Sequence, residues 1–209
     1  MASILKVPGI EKMPPEFLRV LAFIAEKNGF DVDGIAAVIS HESRFDPRAK
    51  SPNSTATGLI QFIESTARSL GTSTADILGM TATQQLILVE RYFQRFMPQR
   101  PGRPEDYILA TYGRVDGIGK PDDYPLDRRD SEDPAEARRY AVNSALDRGG
   151  DGIITVGDLR RSMAGTIGAA RGERVPVPPK SAAPPSGGIL AGAAAVVAAV
   201  GAVALWVKK

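Results

Sequence analysis

The chain has 209 residues, of which 43% are hydrophobic, and a formal net charge of +2. This length allows one medium-sized domain with appendages, and the nearly balanced charge argues against a dedicated nucleic-acid-binding protein. The sequence contains no cysteine and one histidine, which excludes disulfides, thiol nucleophiles, Cys-based zinc sites and multi-histidine metal sites.

The first half of the chain shows helical periodicity without convincing strand alternation. Caps and breakers, such as Pro14 at the start of one segment, Gly29 after its end and Thr81 before another, place the helix boundaries. Helices are predicted over residues 14–28, 31–41, 59–69, 81–96 and 105–112. A mainly α fold follows from this pattern.

The second half of the chain is divided by composition. Residues 135–146 and 156–163 are predicted helices on either side of an acidic, Gly-rich loop at 147–158. A stretch rich in Pro, Gly and Ala follows, which is typical of an extended linker. The predicted domains are residues 1–130, a helix-loop-helix extension at 131–165, a linker at 166–187 and a terminal helix at 188–207.

The terminal helix is predicted to cross a membrane. Residues 189–207 contain no charged or strongly polar residue and are nearly long enough to span a hydrocarbon core of ~30 Å. Trp206 and the final Lys208-Lys209 pair suit the membrane interface. Gly188 and Gly192 have the spacing of helix-pairing motifs, which would allow a homo-oligomer. An Ala-rich soluble tail and a buried helix are the alternatives.

One motif in the first half combines a carboxylic acid with an apolar helix. The apolar stretch from residue 35 to residue 40 is followed by His41 and then by Glu42-Ser43. Desolvation at the buried end of a helix raises the pKa of a carboxyl group, which a general acid near neutral pH requires. Taken alone, the Glu42-Ser43 pair is also consistent with a helix that simply ends at the protein surface.

Three segments in fixed order resemble the signatures of lysozyme-like lytic transglycosylases of the SLT type. Residues 42–49 read Glu-Ser-Arg-Phe-Asp-Pro-Arg-Ala, residues 58–62 read Gly-Leu-Ile-Gln-Phe, and residues 107–113 read Tyr-Ile-Leu-Ala-Thr-Tyr-Gly. The resemblance covers residues 17–113. It implies a lysozyme-like helical domain that acts on the peptidoglycan of bacterial cell walls.

The resemblance also implies roles for individual residues. Glu42 would donate its proton to the glycosidic oxygen between N-acetylmuramic acid and N-acetylglucosamine, and would then deprotonate the C6 hydroxyl to give a 1,6-anhydro sugar. Gln61 and Tyr112 would hydrogen-bond sugar groups, Ser43 would orient Glu42 or the substrate, and Gly58 would belong to the substrate-binding wall. Neither a second carboxylate nor a cofactor is required.

One departure and one further similarity qualify the resemblance. The third signature usually has an Asn after its Tyr, whereas Gly113 follows Tyr112 directly. Residues 118–123, Ile-Gly-Lys-Pro-Asp-Asp, are similar to a continuation found in phage-borne relatives. They imply a virion-associated enzyme that opens the host wall during genome entry. Such an enzyme would act in the periplasm or cell wall, held to the virion's membrane or ejection apparatus by residues 188–207.

The loop at 147–158 resembles an EF-hand calcium loop. Oxygen ligands are expected from Asp147, Asp151, the Ile153 carbonyl, Thr155 and Asp158, which fill five of the six ligand positions. The remaining position holds a glycine, and the last ligand is Asp instead of the longer Glu. Two interpretations stay open, a weak structural calcium site and a metal-free corner between helices.

Two other functions stay open beside the leading one. The chain could be a non-catalytic peptidoglycan-binding membrane anchor of a virion or envelope, or a lysis-stage muramidase that hydrolyses the same bond. The expected partners are peptidoglycan strands and a lipid membrane, with no nucleic acid.

Overall fold

The computed structural model describes residues 2–179, and over this range the backbone is mainly helical. Short 3₁₀ helices, among them Pro104–Tyr107 and Ser144–Leu146, connect the longer elements. The α-helices are α1 (Pro15–Asn28), α2 (Val32–Ser43), α3 (Glu64–Ser69), α4 (Thr74–Gly79), α5 (Ala82–Phe96), α6 (Ile108–Tyr112), α7 (Pro134–Asn143) and α8 (Val156–Gly168).

Local capping explains where several helices begin and end. The Asp31 side chain accepts a hydrogen bond from the Asp33 amide and caps α2. Thr81 and Gln84 form a reciprocal capping box at the start of α5. Gly29 ends α1 with φ at 64°, a left-handed conformation that glycine adopts without steric cost. The predicted boundaries of α1 and α5 are therefore confirmed to within a residue or two.

Helix α2 lies at the centre of the core. Each of its residues from Gly34 to Ser40 is buried, and side chains of α1 and α8 belong to the same buried cluster, including Phe17 and Met163. The predicted extension at 131–165 is thus packed into the helical domain and is not separate from it. Residues 1–177 form one compact unit.

The structure also contains short strands, which the sequence did not predict. β1 (Ser3–Leu5) pairs antiparallel with β4 (Arg174–Pro176), and β2 (Pro125–Arg128) pairs antiparallel with β3 (Ile153–Thr155). Strands of three or four residues are too short to show alternation. Their hydrogen-bond partners are distant in sequence, so the pairing depends on the tertiary fold.

The predicted linker at 166–187 differs from the structure in its first half. Helix α8 continues to Gly168, and β4 follows it. The Arg174 guanidinium forms a bidentate ion pair with Asp33, with N–O distances of 2.9 and 3.0 Å. These contacts attach the segment to the N-terminus of α2.

The predicted helix at 59–69 is wrong in its first turn. Helix α3 begins at Glu64, whereas residues 57–62 form a turn closed by hydrogen bonds between Thr57 and Phe62. Gln61 has φ at 52°, which is outside the right-handed helical region. The hydrogen bonds of the turn, and not the apolar spacing of the sequence, determine the backbone conformation of residues 57–62.

The predicted fold class is wrong in its transmembrane helix. Between residues 2 and 179, no helix combines the length and the apolar character that crossing a bilayer demands. The longest helix described there, α5, has 15 residues, whereas a span needs about 20. The predicted span at 188–207 lies outside the described residues.

Candidate active site

Glu42 lies in the last turn of α2, where the helix ends in an unusual turn. Arg44 and Phe45 both have positive φ, at 51° and 65°. Such left-handed conformations are strained for residues with a side chain and persist only where packing enforces them. Phe45 supplies that packing, because it is buried and its ring meets the edge of Phe17 at a centroid distance of 5.8 Å.

Glu42 lines a cavity of about 390 Å³. One wall comes from the central helices and consists of His41, Glu42, Ile108, Thr111 and Tyr112. The other wall comes from the C-terminal part of the compact unit and consists of Val142, Asn143, Ala145, Leu146, Leu159 and Ser162. The cavity combines apolar side chains with a few polar groups, as carbohydrate and other small-ligand sites do.

The environment of Glu42 favours its protonated form. Burial raises the pKa of the Glu42 carboxyl from 4.5 to about 7, and the nearby Thr111 hydroxyl partly offsets this rise. The residue as a whole is half-buried, so the carboxyl meets the cavity while its surroundings exclude most water. A carboxyl with this pKa can donate a proton near neutral pH and take one back afterwards.

Tyr92 lies on the inner side of the same carboxyl. Burial raises the pKa of the Tyr92 hydroxyl, and the charge of Glu42 raises it further. The hydroxyl donates to the Ala110 carbonyl at 2.7 Å, and the ring meets the edge of Phe62. Tyr92 therefore connects α5, α6 and the turn at 57–62.

Ser43 connects α2 to that turn and does not line the cavity. Its hydroxyl donates to the Leu59 carbonyl at 2.9 Å and to the Ile39 carbonyl at 3.1 Å. The structure thus gives Ser43 a part in holding the end of α2, and its predicted role in orienting Glu42 or the substrate stays a prediction.

Gly58 lies where the backbone approaches a buried glutamine. With φ at 77°, a Cβ at this position would come within 2.5 Å of the Gln85 side-chain oxygen. That oxygen accepts from the Leu59 amide at 2.9 Å, while the Gln85 amide nitrogen donates to the carbonyls of Pro47 and Ile77. Sequence reasoning missed Gln85, because an isolated polar residue on a helix gives no signal of its buried contacts.

The structure does not bring Gln61 into the Glu42 cavity. The Gln61 amide nitrogen donates to the Gly58 carbonyl at 3.0 Å and to the Ala49 carbonyl at 3.4 Å. These bonds brace the 57–62 turn. The structure therefore does not place Gln61 beside Glu42, and its contact with sugar stays a prediction.

Tyr112 does line the cavity, together with Glu42. Its hydroxyl is buried and has no hydrogen-bond partner within the described residues. Burial raises the pKa of this hydroxyl, and the neighbouring Asp127 raises it further. The Tyr112 ring therefore lines the cavity, whereas its hydroxyl lies in the protein interior.

Helix α8 holds the second wall against the central helices. Arg160 forms a bidentate ion pair with the buried Asp106, at 2.7 and 3.1 Å, and contacts Asp122 at 2.5 Å. The adjacent residues Leu159 and Ser162 line the Glu42 cavity. A buried charge pair of this kind fixes the register between α8 and the segment before α6.

The loop at 147–158 has turn geometry, and its carboxylates are engaged by their neighbours. Asp147 accepts from the Gly152 amide and from the Tyr140 hydroxyl. Asp158 and Thr155 form a capping box at the start of α8, and Asp151 accepts from the Ile153 amide. Throughout residues 2–179, no three His, Asp or Glu side chains are grouped so as to hold a metal ion. Both interpretations, a weak calcium site and a metal-free corner, stay predictions.

Several residues of the cavity were not predicted. Thr111 was not among the predicted site residues, and Asn143 lies about a hundred residues from Glu42 in sequence. His41 was not among the predicted site residues either, yet it lines the cavity together with Glu42. No local pattern could have identified Asn143, because α7 reaches the site only through the tertiary fold.

The comparison with protein families agrees with this geometry. Residues 20–87 match the family model described as "Transglycosylase SLT domain". The match begins in α1 and ends in α5, so it includes Glu42, Ser43, Gly58 and Gln61. It confirms the resemblance for the first two motifs, whereas the third, at 107–113, lies outside the match. A search of the curated proteins finds no relative of this chain.

Proposed function

This chain carries an SLT-type lytic transglycosylase domain, and from this premise we propose that it cleaves peptidoglycan without hydrolysis, with Glu42 as the only acid and base. The family supports a peptidoglycan-cleaving activity. The observation that carries the non-hydrolytic step is that Glu42 is the one carboxylic acid among the described residues that line the cavity. Most glycosidases that use water or a covalent intermediate place a second carboxylate across the scissile bond.

The reaction runs in two proton transfers. Neutral Glu42 donates its proton to the oxygen that joins C1 of N-acetylmuramic acid to N-acetylglucosamine, and the C1–O bond breaks as positive charge develops on the ring. The Glu42 carboxylate then accepts the proton of the C6 hydroxyl, whose oxygen bonds to C1. The products are a 1,6-anhydro end and a new N-acetylglucosamine end, and no water is consumed.

The pKa of Glu42 suits both steps. A carboxyl with a pKa of about 7 is largely protonated below neutrality, so it can act as the acid. The same desolvation makes the carboxylate a stronger base than an exposed glutamate, which favours removal of the C6 proton. Tyr112 and Thr111 line the same cavity as Glu42, which supports a role for both in contacting the sugar.

Digestion in ¹⁸O-labelled water tests this proposal. Muropeptides released by transglycosylation are lighter by one water than hydrolysed ones and carry no label, whereas hydrolysis inserts one labelled oxygen at C1. The Glu42→Gln variant is the matched control, because it keeps the shape of the side chain and loses the proton. Labelled reducing ends, or full activity in the variant, would refute the proposal.

The place of action is a further part of the proposal. We propose that the protein travels in a phage particle and acts on the host cell wall during genome entry. The support for this is the similarity of residues 118–123 to phage-borne relatives. Detection of the protein by mass spectrometry in purified particles, and not only in lysed cells, is the expected result. Its absence from the particles would favour a role at lysis.

A further inference from the structure

We infer that residues 142–146 form a substrate-binding wall of the Glu42 cavity, and that Asp127 is the positioning residue that holds this wall beside Tyr112. The inference rests on the proposed function, since the ligand is the glycan strand that Glu42 cleaves. It assigns substrate binding to a part of the chain that lies well beyond residues 20–87, where the family model matches.

The wall has the chemistry of a sugar-binding surface. Val142 is a large hydrophobic residue that is 73% exposed, and it lines the cavity with Ala145 and Leu146. Pyranose rings present apolar C–H faces between their hydroxyl groups, and such faces bind apolar side chains. Single exposed valines are common on proteins, but this one lies across a cavity from a carboxyl with a raised pKa.

Asn143 adds an oriented polar group to the wall. Its side-chain nitrogen donates to the Arg139 carbonyl at 2.9 Å, one turn earlier in α7. This bond fixes the amide plane, and the amide oxygen is left as an acceptor beside the cavity. An acetamido N–H or a sugar hydroxyl is the donor that such an acceptor would take.

Asp127 connects the wall to the floor of the cavity. Its carboxylate is fully buried, and one oxygen accepts from Arg114 and from Arg139 of α7, each at 2.9 Å. The other oxygen has no hydrogen-bond partner among the described residues, and neither has the Tyr112 hydroxyl, which is also buried.

These two groups are neighbours, because burial raises the pKa of the Tyr112 hydroxyl and a side-chain interaction with Asp127 raises it further. Asp127 therefore links Tyr112 on the floor, through Arg139, to Asn143 on the wall.

The first experiment places a bulky side chain on the wall. Val142→Trp should leave the fold intact because the position is exposed, yet it should lower kcat/KM on soluble glycan strands by about tenfold or more. Ala141→Trp is the matched control, since Ala141 is exposed on the same helix and does not line the cavity. Equal kcat/KM for the two variants, at unchanged melting temperature, would overturn the inference.

A binding assay separates this inference from the proposed function. In an inactive Glu42→Gln background, sedimentation with insoluble peptidoglycan should show strong binding that Val142→Trp weakens. If wild-type protein cleaves nothing, the proposed function fails, whereas undiminished binding by the double variant refutes only the wall.

The second experiment tests Asp127 as a positioning residue. Asp127→Asn should raise KM, because Tyr112 and the wall lose their alignment, while the pH limb set by Glu42 keeps its midpoint. Asp116→Asn is the control, since Asp116 also binds Arg114 but its side chain is about half exposed. A lower melting temperature with unchanged KM would reduce Asp127 to a structural role and overturn its assignment.

Discussion

The raised pKa of Glu42 predicts that removing the charge stabilises the protein while abolishing activity. The folded-state value is about 7, against 4.5 for an unperturbed glutamate, so the folded protein binds this proton more tightly than the unfolded chain. The stability of the wild type therefore falls as the pH rises from about 4.5 to 7. Glu42→Gln removes this loss, because the amide cannot ionise.

The size of the effect follows from the two pKa values. Their difference corresponds to about 3 kcal/mol at pH 8, where the wild-type carboxyl is ionised in both states. In a protein of this size, this free energy corresponds to an increase in melting temperature of roughly 6–12 °C. At pH 4 the carboxyl is largely protonated in the folded wild type, so most of the difference disappears.

Thermal unfolding of both proteins at pH 4 and pH 8 measures the effect. Glu64→Gln is a control with the opposite sign, because hydrogen bonds from Thr74 and Arg68 lower the pKa of the Glu64 carboxyl to about 2. Its loss should lower the melting temperature at pH 8 and by somewhat less at pH 4. An equal gain for Glu42→Gln at both pH values, or none at pH 8, would refute the reasoning. Wild-type activity should decline as the pH rises through 7.

Three further predictions concern the surroundings of the acid. Ser43→Ala loses the hydrogen bond to the Leu59 carbonyl and should lower the free energy of unfolding, measured with denaturant, by about 1 kcal/mol. The variant should also have a lower kcat, because the end of α2 is less well held. An unchanged kcat would show that Glu42 needs no such support. Gly58→Ala places a Cβ against Gln85 at a residue with positive φ and should lower the free energy of unfolding by about 1–3 kcal/mol, measured in the same way. An unchanged free energy of unfolding would contradict the close approach of the backbone to Gln85. Millimolar calcium should leave the melting temperature unchanged, because the carboxylates of the 147–158 loop already accept hydrogen bonds from their neighbours; a rise would establish the calcium site.

Periodicity and caps were sufficient to place the helices of the first half. The amphipathic pattern of α1 and α5, with Gly29 and Thr81 at their ends, is local information that the chain carries wherever it folds. The same is true of α2, whose apolar run predicts burial and places Glu42 at the buried end. The family resemblance then identified Glu42 as the candidate acid.

Tertiary contacts decided what local patterns could not. The apolar spacing around Gln61 favours a helix, but hydrogen bonds between Thr57 and Phe62 close a turn instead and keep Gln61 out of the Glu42 cavity. The pairing of β1 with β4 joins the two ends of the described chain, which no local pattern encodes. A run without charges at 188–207 predicted a membrane span by composition alone.

The features of the candidate site also fall into those identified from the sequence and those that only the structure shows. The sequence by itself identified Glu42 as the candidate acid, because Glu42 and the apolar residues before it are adjacent in the chain. Only the tertiary structure decided its pKa and the wall that faces it. Desolvation depends on every group packed around the carboxyl, and residues 142–146 reach Glu42 only after α7 and α8 have docked on the central helices.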